Sequence, residues 1–588
     1  MFTKNTLHRQ RDLFDDILQS LPEAKREKAL GSKEHAFYEE VFCRIDESAF
    51  SPLFPSSRGR PNAPINAMAG ALILREIRHW TFEELFRDLD FDVLTRLALG
   101  LTNMSDTPFC PATLFNFQQR IVRHEQEHGT NPFETVFQTL TLEQLKRFGV
   151  NTNIQRCDSF RAMSNIANYG RVRLLVEILL RLHRVLEPAD RDRLGEILSP
   201  YTSQGSDGYV YRLDDADLPR ELEKLADIYS QLHACLGNAY SELLEYRLFE
   251  RVLGEQFELS EDGATRVRER KELGSGTLQS PDDPDASFNA KNGKPQKGHK
   301  VNVVETAAPE NELNLITDID VTPNNVHDGT MLAERMDTIM EQTPDLVEMH
   351  TDGGYGGSAL DPKMEEHRVL HIETGSKMGK ARVNMRYTAT EDGGYLVACP
   401  GGQMVIAERT AKHWKAVFSD SVCANCPNRK QCPAKQHSGK RTLYFDESWA
   451  LSYLRSRNIE QVPEERRRLR ANVEATVKEF TGCFNHKGKL RIRGLARTTL
   501  QMLAAAIGIN FGRIFRHRTA GTQNTPQTGT HPVPTAGPLR AFLRFFRCLV
   551  SQTHFYPYRR EPDGPSAAAC LKIFRPHLSV SIPARGIF

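Results

Sequence analysis

The spacing of hydrophobic positions changes several times along this chain of 588 residues, and each change marks a new kind of element. Residues 1–145 read as helical. Ala67-Met-Ala-Gly-Ala-Leu-Ile-Leu-Arg-Glu-Ile has the pattern of a buried helix. Thr81-Phe-Glu-Glu has capping-box spacing, with Glu84 placed to reach back to the start of the next helix. A third helix is predicted to begin near Pro111, with Gln118, Gln119, Arg120 and Arg123 on its polar side. Short helices ending in one that carries Gln and Arg suit a helix-turn-helix-like DNA module. An ordinary all-α domain with a solvated face gives the same pattern.

Beyond the helices, residues 146–158 form a candidate strand. Helical spacing returns from Arg171 to about Gln256, with Leu174, Leu175, Ile178, Leu179, Leu182, Val185 and Leu186 on one stripe. The segment 271–300 is rich in Gly, Ser, Pro and Asp and reads as a loop. Strands are expected at His299-Lys-Val-Asn-Val-Val-Glu-Thr and at Leu313–Val321, where Leu313, Leu315, Ile319 and Val321 face one way. A helix over 329–342 and a strand ending in Asp352 follow. This order describes an α/β domain whose first strand is separated from the rest by a helical insertion over 171–256. Residues 383–445 are short-stranded and cysteine-bearing; 464–481 and 496–516 are helical. After His517 the composition turns to Thr, Pro, Gly and Gln, so 517–588 reads as a linker and poorly ordered tail. There is no internal repeat.

Composition narrows the class. Hydrophobic residues make up 39% and charged residues 26%, as in a globular protein, and the length calls for more than one core. The N-terminus lacks a signal-peptide core, and no apolar stretch is long enough for a membrane span, so a cytoplasmic location is expected. A net charge of +2 does not by itself announce nucleic acid, so local clusters matter more. The 11 cysteines are scattered except near residues 423–432, which fits a reducing compartment and not a disulfide framework.

Three acids stand out. Asp158 ends the first candidate strand. Asp352 ends another and is followed by Gly353-Gly-Tyr-Gly-Gly, which leaves room beside its carboxylate. Glu474 lies on a predicted helix, in a polar stripe with Arg467, Arg470 and Lys478 beside an apolar stripe of Leu469, Val473, Val477 and Phe480. Two strand-end aspartates and a helical glutamate suit two-metal phosphoryl chemistry, because hard cations take oxygen ligands. Turn aspartates and an exposed salt-bridged stripe are the plainer reading.

Two further clusters carry chemistry. Cys423-Ala-Asn-Cys426, with Cys399 upstream and Cys432 downstream, has the ligands for a structural zinc site; reduced thiols are the alternative. His486-Lys-Gly-Lys-Leu-Arg-Ile-Arg-Gly is basic at alternate positions. An extended strand there would aim Lys487, Lys489, Arg491 and Arg493 to one side, as a row of phosphate contacts or as a solvated edge. Lys291, Lys294, Lys297 and Lys300 are weaker candidates for the same role.

Taken together, Val321-Thr-Pro-Asn-Asn-Val-His-Asp-Gly, Val347-Glu-Met-His-Thr-Asp-Gly-Gly-Tyr-Gly, Gly298-His-Lys-Val-Asn-Val and Arg470-Ala-Asn-Val-Glu resemble the core of bacterial insertion-sequence transposases of the DDE class. The resemblance runs in order over roughly residues 30–515. It implies an α/β fold: an RNase H-like catalytic domain over 146–516 with a helical and a β-rich insertion, preceded by an all-α helix-turn-helix-like domain over 1–145. It maps the acids onto Asp158, Asp352 and Glu474, holding two Mg²⁺ ions, with Mn²⁺ as a substitute. The partners it implies are double-stranded DNA, at element ends and target, and further copies of the chain in a nucleoid-associated oligomer. Gln119 and Arg123 are the expected base readers. The family often has a tyrosine and a lysine where Arg467 and Thr481 stand here, so Lys478 is assigned the phosphate contact beside Arg470. A metal-dependent nuclease without strand transfer and a catalytically dead DNA-binding descendant are the competing readings.

Overall fold

The computed structural model describes residues 1–523 apart from 10–15, 56–58, 102, 106, 260–264, 292, 375–384, 391 and 438. A six-stranded mixed sheet lies at its centre. Its strands are β1 (Ile154–Met163), β2 (Ser287–Lys291), β3 (Lys294–Thr306), β4 (Ile316–Pro323), β5 (Glu348–Asp352) and β6 (Leu370–Thr374). The spatial order is β4-β3-β1-β5-β6, with β2 on the far end of β3. β1 runs antiparallel to β3 and parallel to β5, and β5 runs parallel to β6.

The first strand is displaced from its expected place. A helix occupies the chain as far as Arg147, and β1 continues five residues past Asp158, which therefore lies in mid-strand. Pairing with β5 covers only Ile154–Arg156, opposite Glu348–His350. Two residues further along both strands come Asp158 and Asp352. The parallel register thus sets the two acids side by side where the sheet opens. The expected loop over 271–300 is also corrected, because its second half is the β2–β3 hairpin, and Lys300 lies buried within β3.

Helices cover both faces of the sheet. The N-terminal helices α1 (Ile65–Arg78), α2 (Phe82–Phe91), α3 (Pro111–His128) and α4 (Pro132–Arg147) form where the apolar spacing predicts them. The Thr81–Glu84 capping box is present, and Pro111 takes the first turn of α3. Helix α5 (Asp328–Gln342) covers the other face, where Leu332 and Met336 pack with Cys157, Val304 and Met349. Helices α6 (Glu447–Gln461), α7 (Val473–Glu479) and α8 (Leu495–Gln523) close the fold. The pattern did not single out α6. A 3₁₀ segment, Glu464–Asn472, replaces the first half of the helix expected over 464–481. α8 continues beyond His517 to Gln523, so the expected tail does not begin at 517; residues 524–588, where the rest of that expectation falls, lie outside the described residues.

One hydrophobic core joins Phe37, Leu72, Phe117 and Phe137 of the N-terminal helices to Val301 and Val303 of β3, Ile319 of β4 and Leu503 and Phe511 of α8. The expected boundary at 145 is thus bridged by a continuous core. The helical insertion is different. Its helices between Arg171 and Gln256 bury Leu174, Leu175, Ile178, Leu179 and Leu182 against Leu225, Tyr229 and Phe249 in a core of their own. The cysteine-bearing segment has a third core around Tyr395, Trp414 and Phe445, between two small antiparallel sheets.

Candidate active site

Alternation along the strands decides what faces the site. Arg156, Asp158 and Phe160 of β1 project from one face, towards α7, while Cys157 projects from the other towards α5. On β5 the same alternation puts Glu348 and Asp352 on the α7 side; Glu348 accepts from Arg466 of the 3₁₀ segment at 2.9 Å.

Arg470 unites the three acids. Its Nη2 donates to Asp158 Oδ2 at 2.8 Å and lies 3.8 Å from Asp352 Oδ2, and its Nη1 donates to Glu474 Oε1 at 3.2 Å. Residues 158, 352 and 474 are thereby gathered around a single guanidinium. Exposure grades across them, with side-chain values of 11% for Asp158, 41% for Asp352 and 61% for Glu474. Burial pushes the Asp158 carboxyl above its ordinary pKa, against the opposing pull of Arg470. The carboxylates surround the cation and do not close on one another. Among the described residues, only Asp337, Glu366 and His367 bring three ligand atoms within 4.8 Å of each other; that group is largely exposed, and Asp337 is already paired with Lys363.

Glycine makes the space beside Asp352. The Gly354 N–H donates to Asp352 Oδ1 at 2.8 Å. A Cβ at Gly354 would stand 3.0 Å from that oxygen and 3.3 Å from Oδ2 of Asp328. Asp328, at the start of α5, is a fourth acid at the rim, held by Ser159 Oγ at 2.8 Å and Lys300 Nζ at 2.9 Å. Tyr355 is buried behind the site and donates to Asn302 Oδ1 at 2.6 Å.

Sequence reasoning missed the support beneath Glu474. Glu305 of β3, fully buried, accepts from Arg156 Nε, Thr476 Oγ1 and Arg513 Nη1, each at 2.7 Å. Arg156 also donates to the Leu469 carbonyl at 3.1 Å. These bonds fix the Glu474 helix to the strand of Asp158. The signal was present as Arg156, two residues before Asp158 and so on the same face, and as a lone glutamate ending the apolar run of β3. Of the expected apolar stripe, Val473 and Phe480 are buried.

The remaining expected residues are dispersed. Lys478 is exposed, one turn beyond Glu474. The basic row is not a strand. Asn485 Oδ1 accepts from the N–H groups of Lys487 and Lys489 around Gly488, whose φ is +68°, so the segment is a turn. Lys489 donates to the Ile166 carbonyl at 2.9 Å, Arg491 to that of His79 at 2.6 Å and Arg493 to that of Asn165 at 2.8 Å, while Lys487 is exposed. Gln119, exposed on α3, accepts from Arg497 at 2.9 Å; Arg123 is exposed on the same helix. Lys300 is spent on Asp328, and Lys294 and Lys297 sit in β3, with Lys291 ending β2.

The four cysteines meet at one end of the small sheets. A Cβ at Gly401 would lie 3.3 Å from Cys426 Sγ and 3.6 Å from Cys399 Sγ. Gln403 donates to Cys423 Sγ at 3.2 Å. Burial pushes the Cys423 thiol up, aided by the neighbouring Cys399 and Cys432. The sulfurs do not form a set of three within 4.8 Å.

Comparison with known families falls on both sides of this geometry. Residues 398–515 match the family model of the transposase DDE domain, and residues 25–120 match that of a separate transposase domain. The two matches indicate an insertion-sequence DDE transposase. The first match contains Glu474 and the cysteine cluster, while Asp158 and Asp352 lie between the two matched segments. No curated protein and no solved structure gives a significant match. No helix among the described residues is long and apolar enough to cross a membrane.

Proposed function

We propose that the chain is a DNA transposase that cuts at the ends of its element and joins them to target DNA, with Asp158, Asp352 and Glu474 as its metal-binding acids. The observation that carries the reading is their convergence on Arg470 from two strands and a helix. We read the β4-β3-β1-β5-β6 order, antiparallel and then parallel, as RNase H-like.

The donor set fits hard divalent cations, since every ligand is a carboxylate oxygen and one guanidinium does not balance three acids. Two bound Mg²⁺ or Mn²⁺ ions would supply charge neutralisation at the attacking and leaving oxygens of a phosphodiester. The chain supplies position. Asp158 and Asp352 are fixed by strand register, and Glu474 by the Glu305 network under its helix. Arg470 can exchange carboxylate for phosphate oxygens, the same bidentate chemistry with a different anion. Gly354 keeps the approach to Asp352 open. Lys478 and Lys487 are phosphate contacts in this reading, and Gln119 and Arg123 of the N-terminal region read bases. Transposition joins two ends, so the working form is an oligomer. The cysteine cluster is read as a structural site for one zinc ion.

The test is cleavage of element-end DNA with Mg²⁺. Asp158→Asn, Asp352→Asn and Glu474→Gln should each abolish cutting while DNA binding stays near the level of the unaltered chain. Full activity in any of the three removes that residue from the site. Strand-transfer products separate a transposase from a nuclease. Elemental analysis should find about one zinc per chain, reduced by Cys426→Ser; a metal-free, stable and active protein would leave the cysteines as thiols.

A further inference from the structure

A cleft separates α2 and α3 from the turn and helix start between Asn485 and Arg497. It has two lobes, of about 490 and 460 Å³, which share the walls Phe82, Asn165, Arg491 and Ile492. Its lining carries Arg75, His486, Arg491, Arg493 and Arg497, and no carboxylate; behind the lining Arg75 is paired with Glu76, and Arg493 lies 3.9 Å from Asp282. The nearby Glu84 is committed to capping α2 through Thr81. Arg491, Arg493 and Arg497 use some of their N–H groups to bond His79, Asn165 and Gln119, which fixes each guanidinium and leaves further donors.

Aromatic faces complement these cations. Phe82 and Phe115 meet edge to face, 4.9 Å between centroids, and Arg75 lies 4.2 Å over Phe82. Phe115 is 44% exposed although it is large and apolar. Trp80 lines the second lobe, and Gln118 lines the first, its amide nitrogen buried without a hydrogen-bond partner. Fixed guanidinium groups and an exposed ring beside half-buried ones are what an unpaired nucleotide needs: phosphate contacts and a stacking surface. Lobes of about 490 and 460 Å³ are of small-ligand size, with room for unpaired nucleotides and not for a base-paired duplex. The cleft is also near the acids along one strand: Asn165 follows the end of β1, and Asp158 lies five residues before that end, about 17 Å at strand rise.

We propose that this cleft binds single-stranded DNA, holding unpaired nucleotides of the strand that enters the acidic site. The inference rests on the DNA reading above, and extends it by making an opened strand part of the substrate.

The experiment is fluorescence anisotropy on the full chain in EDTA, with a labelled 12-nucleotide thymidine oligomer and a labelled duplex of equal length as probes. Arg491→Ala with Arg497→Ala should weaken binding of the single strand about tenfold or more and that of the duplex less than threefold. Phe115→Ala, at a position 44% exposed, should cost the single strand about fivefold and leave the duplex unchanged, with the variant's Tm near that of the unaltered chain. Equal losses on both probes would make the cleft a duplex contact and overturn the proposal. Unchanged single-strand affinity in both variants would overturn it too, as would an acidic peptide displacing the oligomer in preference to DNA. Cleavage by the unaltered chain with Mg²⁺ is read separately. Its absence counts against the acidic site as assigned, whereas intact cleavage with no strand preference counts against the cleft alone.

Discussion

Two ionic centres sit on the same face of the sheet, and their balance is opposite. Around Glu305, two acids meet three guanidinium groups: Arg156 and Arg513 bind Glu305, Arg513 also binds Glu479, and the exposed Arg516 reaches Glu479 at 3.3 Å from outside. That centre is buried at Glu305, where Thr476 closes it, and each of its acids is balanced by a cation. Around Arg470, three carboxylates share one cation, leaving two negative charges uncompensated if all are ionised, and the centre opens to solvent at Glu474. A buried ion pair without balance would be costly, so the first arrangement serves to hold elements together. The second is the centre proposed above to take metal, because its own residues do not neutralise it. The physical difference between the two centres is thus in the charge count, not in the residue types.

Breaking the balanced centre should have the larger effect on stability. Glu305→Ala leaves Arg156 and Arg513 buried without their common acceptor. The expected loss is about 3–5 kcal/mol, read by denaturant unfolding. Glu305→Gln keeps the shape and part of the bonding and should lose less. A neutral outcome for the alanine variant would mean that water or Glu479 takes over both cations, and the distinction between the two centres would fall.

Removing the cation from the unbalanced centre should give a smaller and conditional effect. Without Arg470, the three carboxylates repel one another, so Arg470→Gln should melt below the unaltered chain in EDTA. Added Mg²⁺ should raise the variant's Tm by more than it raises that of the unaltered chain, because a ligand that binds only the folded state stabilises it in proportion to occupancy, about 2.7 kcal/mol at a hundredfold excess over Kd. Equal Mg²⁺ shifts in both proteins would show that Arg470 does not act as the resident counter-ion.

The contrast also explains what the sequence revealed. Asp352 and Glu474 drew notice as candidates because each stood in a local pattern, a glycine-flanked strand end and a helical stripe. The helical insertion was readable for a related reason, since its core is contiguous in sequence. β1 was misplaced because its inward positions are polar: Gln155, Arg156 and Asp158 are all buried, and no apolar alternation marks the strand. Glu305 escaped notice because its partners come from three distant segments. The basic row has a period of two for a reason unrelated to strand structure, being folded about Asn485 and Gly488. Asn292-Gly293 was a hairpin signal inside the expected loop, outweighed by the surrounding Gly, Pro and Asp.

A third acidic pair sharpens the comparison at the smallest scale. On β4, Asp318 is paired with Arg335, which also binds Glu134. Asp320 is pushed up to about 7, first by burial and then by Asp318, with Arg335 pulling the other way. Its folded-state pKa therefore lies above the unfolded value of about 3.9. Between about pH 4 and 7 the folded chain keeps a proton that the unfolded chain has lost, so stability falls as pH rises through that window. Asp320→Asn removes the titration. It should leave stability nearly unchanged below pH 4 and raise it at pH 8, by on the order of 1 kcal/mol once solvent screening is allowed for. Glu125, also pushed to about 7 by burial and by Glu134, titrates in the same range, so Glu125→Gln is the necessary control. If Asp320→Asn lowered stability at pH 8, the ionised carboxylate would be serving the Arg335 pair as a second acceptor, and the centre would belong with the balanced kind.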